Sequence, residues 1–150
     1  MRNSIFALLL SVLANAPLAM AQSSQPATPN PANLAEAAGA YLASVEQLNV
    51  LKTTRCGYAL KRQIPSFDKV AADEVLPAFP SKERSEATPV LKSLKGDATR
   101  QGKALFDQMY TYYTQTEKLD EKTTCGFITA NFITMRKLSA EAFERKARHP

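Results

Sequence analysis

From Leu91 to Leu119, apolar and small side chains recur in alternating three- and four-residue steps: Leu91, Leu94, Ala98, Gly102, Leu105, Met109, Tyr112, Thr116 and Leu119. Phe106 and Tyr113 widen the stripe. A period near 3.5 residues, held over about four heptads, lays one apolar seam along one long helix and fits no strand. The pattern predicts a helix over about 89–120, with Thr88 as its cap and Pro89 in its first turn, where a missing N–H costs nothing.

The rest of the chain reads in the same period. Asn33 is a good helix cap, and Leu34, Ala38, Tyr41, Val45 and Leu48 predict an amphipathic first helix over 33–53. The pattern then weakens to Pro65, which reads as a connection. Ser66 can cap a second helix bearing Phe67, Val70, Ala71 and Val75, stopped by Pro77 and Pro80. Residues 77–88 are expected to turn the chain around. After a short connection at Asp120–Thr124, Cys125, Ile128, Phe132, Met135, Leu138 and Ala142 mark a fourth helix. No window alternates with period two, so the expected class is all-α, an antiparallel up-down-up-down four-helix bundle.

Cys56 and Cys125 are the two cysteines, one in the first connection and one just after the third helix. In an up-down-up-down bundle those places share an end, so a disulfide is expected there. Closing 69 residues of chain, it would stabilise the fold by something on the order of 4 kcal/mol in the chain-entropy view. Neither sulfur lies in a C-x-x-C pair, so a structural bond is expected rather than a redox centre. Lys52-Thr53-Thr54-Arg55-Cys56-Gly57-Tyr58 echoes Lys122-Thr123-Thr124-Cys125-Gly126-Phe127. That raises the duplication of a helical hairpin against plain coincidence. Each glycine would allow a close backbone approach, and each aromatic could cover the sulfur.

The compartment follows from the first residues. Met1-Arg2, an apolar stretch from Ile5 to about Leu18 and the small-residue site Ala19-Met20-Ala21 read as a secretory signal peptide over 1–21, cleaved before Gln22. The stretch is broken by Asn15 and Pro17 and is too short for a membrane span. Residues 22–32, with three prolines and little that is apolar, read as a flexible tether before a single domain at 33–150. Periplasmic residence is expected, with release to the medium as the other possibility.

Removing 21 of the 150 residues leaves 129, and losing Arg2 leaves 18 basic against 14 acidic side chains, a balance of +4. The basic groups gather only at Lys52, Arg55, Lys61 and Arg62, at Arg136-Lys137, and from Arg145 to Arg148. None is interleaved with aromatics or glycine as in a nucleic-acid module, so no nucleic acid is expected as partner.

Catalytic and cofactor chemistry finds little to work with. The one histidine, His149, stands near the C-terminus. There is no Glu-x-x-His pair for a di-iron site, no C-x-x-C-H for covalent haem, no G-x-S-x-G and no phosphate-binding loop. Met109 and Met135 sit on apolar stripes, and Asp73-Glu74 and Asp120-Glu121 lie near helix ends where carboxylates are solvated. No cofactor, metal or catalytic residue is therefore expected.

Tyr110 and Tyr113 at the border of the third helix's seam, and Lys52, Arg55, Lys61 and Arg62 around Cys56, are the candidate partner surfaces. The expectation is a non-catalytic binding or accessory protein of the inhibitor, immunity or chaperone type, its partner another envelope or secreted protein. The alternative is a ligand or cofactor carrier using the bundle interior; a hydrolase with scattered carboxylates comes third.

Overall fold

The computed structural model describes residues 33–148. The segments expected to be a signal peptide (1–21) and a tether (22–32), and His149, lie outside the described residues. Within them the chain is helical, with no strand. Four helices follow in order: α1 (Leu34–Lys52), a short α2 (Phe67–Val70), α3 (Ser81–Thr111) and α4 (Glu121–Arg148). A wide turn at Ala71–Val75 and a tight one at Leu76–Ala78 prolong α2, and a second wide turn, Tyr112–Thr116, ends α3.

The caps at the first two helices act as expected. Asn33 Oδ1 accepts from the Glu36 amide at 2.9 Å, and Ser66 Oγ from the Lys69 amide at 3.2 Å. Each satisfies an amide that the first helical turn would leave without a partner.

α1 departs from the amphipathic helix expected of it. Thirteen of its nineteen residues are buried, and its only charges are Glu36, Glu46 and Lys52. A helix apolar on all sides belongs inside, and α1 packs against both α3 and α4, which touch each other far less. At one end Tyr41, Leu42 and Val45 meet Phe67, Val70, Val75, Leu94 and Phe143. At the other, Leu48 and Leu51 meet Phe106, Ile128, Phe132 and the two cysteines. Small residues permit the close approach to α3: Ala98 is fully buried, and a Cβ on Gly102 would stand 3.2 Å from Gln47 Cα.

The start expected for the third helix is corrected. α3 begins at Ser81, eight residues before Pro89, and carries that proline inside it. Ala87, 1 % exposed, anchors the extra turns to the core. Pro89 and Ser85, whose carbonyl loses its usual helical donor, both face water, where the missing bond is cheapest. Arg84 ties the preceding turn from within, donating to the carbonyls of Phe79 at 2.6 Å and Pro77 at 3.2 Å.

α4 also begins earlier than Cys125. Asp120 caps it through Oδ1, 3.0 Å from the Thr123 amide, and Oδ2, 2.7 Å from the Thr123 hydroxyl. Those bonds, the hydroxyl foremost, lower the Asp120 pKa. Cys125 therefore lies within the helix, bonded to Cys56 with the Cα atoms 5.0 Å apart, and both cysteines are fully buried.

The echo around the cysteines does not extend to structure. Gly57 is required, since a Cβ there would fall 2.3 Å from the Lys52 carbonyl oxygen, whereas nothing lies within 4 Å of a Cβ on Gly126. Nor do the neighbouring aromatics cover the sulfurs: Tyr58 and Phe127 are 62 % and 49 % exposed.

Candidate functional surface and groove

The basic residues around Cys56 part company in three directions. Lys52 serves the fold, its Nζ donating to the Ile64 carbonyl at 3.1 Å. Beside it Asn49 Nδ2 donates to the Pro65 carbonyl at 3.1 Å. Together they bind the connection between α1 and α2 to the end of α1. The value of Asn49 was not visible in the sequence, because an isolated asparagine on a helix carries no pattern.

Arg55 turns toward α3. Its guanidinium carbon stands 4.8 Å from the centre of the Tyr110 ring, and Nη1 donates to the Tyr110 hydroxyl at 3.4 Å. This bond to Tyr110 raises the Arg55 pKa. Tyr110 in turn leans on Phe106, with ring centres 5.7 Å apart, beside the disulfide. Tyr113 stacks on Phe127 of α4 at 5.6 Å and meets Tyr112 edge-on at 5.4 Å. The two surfaces suggested by the sequence are thus joined in part: Arg55, Tyr110 and Tyr113 share the disulfide end of the molecule.

The position of Tyr112 departs from the reading of the stripe. The buried face of α3 runs Leu94, Ala98, Gly102, Phe106 in steps of four, and the next step leads to Tyr110, half-buried at its end. Tyr112, expected in the seam, is 38 % exposed and donates to Glu117 at 2.6 Å. A four-residue step winds the face around the helix, whereas the three-four alternation assumed a straight seam.

Lys61 and Arg62 go elsewhere. With Ala59, Leu60 and Ile64 they form one wall of a groove of about 620 Å³ whose other wall is α4, through Ile133, Arg136, Lys137 and Ala140. Tyr41 and Leu48 of α1 also line it. Glu141 and Glu144 stand toward the C-terminal end of α4, 3.9 Å from Lys137 and 3.3 Å from Arg148 respectively. The Arg136 Nε is buried without a hydrogen-bond partner.

No protein-family model, curated protein or solved structure matches the chain.

Behind the groove lies a polar contact that the sequence did not reveal. The Tyr41 hydroxyl, on a residue 3 % exposed, donates to Glu74 Oε2 at 2.6 Å. Burial first, and then the Glu74 carboxylate, push its pKa up to about 12, while Arg136 pulls the other way. Glu74 reaches the phenol from the wide turn at Ala71–Val75.

Among the described residues, no cluster of three or more His, Cys, Asp or Glu side chains is placed to hold a metal. No described helix is long and apolar enough to cross a membrane.

Proposed function

We propose that this protein is a small exported, non-catalytic binding or accessory protein of the bacterial envelope, of the inhibitor, immunity or chaperone type. Its helical domain, taken as an up-down-up-down bundle, presents the surface around Arg55, Tyr110 and Tyr113 to another envelope or secreted protein. The observation that carries this reading is the Arg55 guanidinium lying over the Tyr110 ring next to the buried disulfide. Arginine and tyrosine are the side chains that most often dominate binding at protein interfaces. Here Arg55 adjoins the disulfide-bonded Cys56, Tyr110 leans on Phe106, and Tyr113 stacks on Phe127 of α4, so little ordering remains to be done on association.

The carrier alternative draws its support from the groove beside α4 rather than from the interior, where the space between α1, the α2 segment and α3 amounts to about 20 Å³. The hydrolase alternative has the least support. Glu141 and Glu144, the acids nearest one another on the groove, are exposed and ion-paired.

The test is affinity capture on the immobilised disulfide-bonded chain, with envelope extract and spent medium of the source organism and identification by mass spectrometry. One enriched protein is expected, with capture about tenfold weaker for Arg55→Ala and Tyr110→Ala, the scale of a single dominant interface contact. Circular dichroism should show both variants helical. Capture unchanged by either substitution overturns the assignment of this surface.

A further inference from the structure

We infer that the groove between the Ala59–Ile64 connection and α4 is a binding site for a free long-chain carboxylate, an amphiphile with one alkyl chain and one anionic head. This site is separate from the Arg55–Tyr110 surface, and its failure would leave that surface untouched.

Size and shape come first. About 620 Å³ lies within the roughly 300–1,000 Å³ range of small-molecule sites and is too little for a folded partner. From Ile133 to Ala140, short of the acidic end, the groove follows seven residues of α4, or about 10 Å at the helical rise. That makes it a trough rather than a cup, suited to a chain rather than to a compact ion.

The lining has the two characters such a ligand needs. Leu48, Leu60, Ile64, Ile133 and Ala140 offer apolar contact. Ile133 is 48 % exposed, a large aliphatic side chain left open to water within a concave surface. Cations stand on both walls, Lys61 and Arg62 on one and Arg136 and Lys137 on the other. Lys61 and Arg62 form no ion pair among the described residues, and Lys137 has only a distant one, at 3.9 Å. Arg136 supplies the independent sign: its guanidinium already acts on the Tyr41 phenol, yet its buried Nε has no acceptor. A buried donor without a partner costs free energy that an arriving carboxylate returns. Glu141 and Glu144 repel an anion from the far end, which leaves the head between Arg136 and the Lys61–Arg62 wall.

Isothermal titration calorimetry on the disulfide-bonded full chain tests the inference, with hexadecanoate kept below its self-association concentration. Saturable one-to-one binding is expected. Hexadecanol and hexadecyltrimethylammonium should bind at least about tenfold more weakly, because they lack the charge or reverse it. Butanoate should show no saturation, for lack of a chain. The exposed double variant Lys61→Glu/Arg62→Glu should weaken hexadecanoate by about tenfold or more, and Ile133→Glu, also exposed, should do the same from the apolar side. Tyr110→Ala should leave it unchanged.

Equal binding of the cationic amphiphile would reveal mere detergent-like adsorption, and equal binding of butanoate a plain anion site. Either result overturns the inference, as does the absence of saturable hexadecanoate binding or its indifference to both groove variants.

Discussion

Tyr41→Phe should leave the protein folded near neutrality while changing how its stability responds to alkali. The ring is packed against Phe143, with centres 5.8 Å apart, and the substitution keeps that contact. What it removes is the hydroxyl bonded to Glu74. Since Glu74 lies at the surface and can be solvated instead, the cost near neutrality should be about 1 kcal/mol.

The alkaline limb follows from linkage. The folded pKa, about 12, lies above the ordinary 10.0, so the native state resists losing this proton and the unfolded chain does not. Stability from that difference is fully present below pH 10 and is lost as pH rises toward 12. A shift of two units corresponds to roughly 2–3 kcal/mol in all, about 1.4 kcal/mol of it gone near pH 11. The wild-type advantage over Tyr41→Phe should therefore shrink through zero near pH 11. Urea unfolding followed by far-ultraviolet circular dichroism, on both proteins across this range, measures the gap directly, and titration of the other tyrosines and the lysines cancels in the difference. A constant gap would refute the reasoning, because it would mean that the Tyr41 phenol titrates alike in the folded and unfolded chain.

Three other perturbations have outcomes set by particular contacts. Reducing the Cys56–Cys125 bond, or replacing both cysteines by serine, should cost on the order of 4 kcal/mol through the 69-residue loop it closes, as read from denaturant midpoints. Gly57→Ala should lower the thermal midpoint, since its Cβ would meet the Lys52 carbonyl oxygen, whereas Gly126→Ala should stabilise α4 by about 0.5–1 kcal/mol. Pro89→Ala restores an N–H within exposed helix and should stabilise the protein by about 1–3 kcal/mol, the upper part of that range being the helical penalty of proline alone.

The helical class, the caps at Asn33 and Ser66 and the disulfide were legible in the sequence because each depends on local pattern or on counting. Other features were settled by tertiary contact. Pro89 looked like a helix start, yet Ala87 buries against the core and carries the helix back to Ser81. α1 looked amphipathic when one stripe was read, but Gly39, Ala43 and Val50 on the opposite side are buried as well. The candidate surface was partly legible, since an arginine and a tyrosine 55 positions apart reveal their stack only in space. Of the groove only the charges were legible, Lys61 and Arg62 on one wall and Arg136 and Lys137 on the other. Its walls come from an irregular connection and from α4, and Ile133 belongs to no stripe.

The central place of α1 also bears on how the chain reaches its native state. α1 is the first described helix to leave the ribosome, but α4, which covers one of its flanks, is the last. Until α4 arrives, an apolar rod has no complete shelter, so the contacts between α1 and α4 form only once that last described helix has emerged. Shortened products ending before Glu121 would leave that flank bare and should go to aggregates or proteases, and a holding chaperone would have α1 as its natural grip.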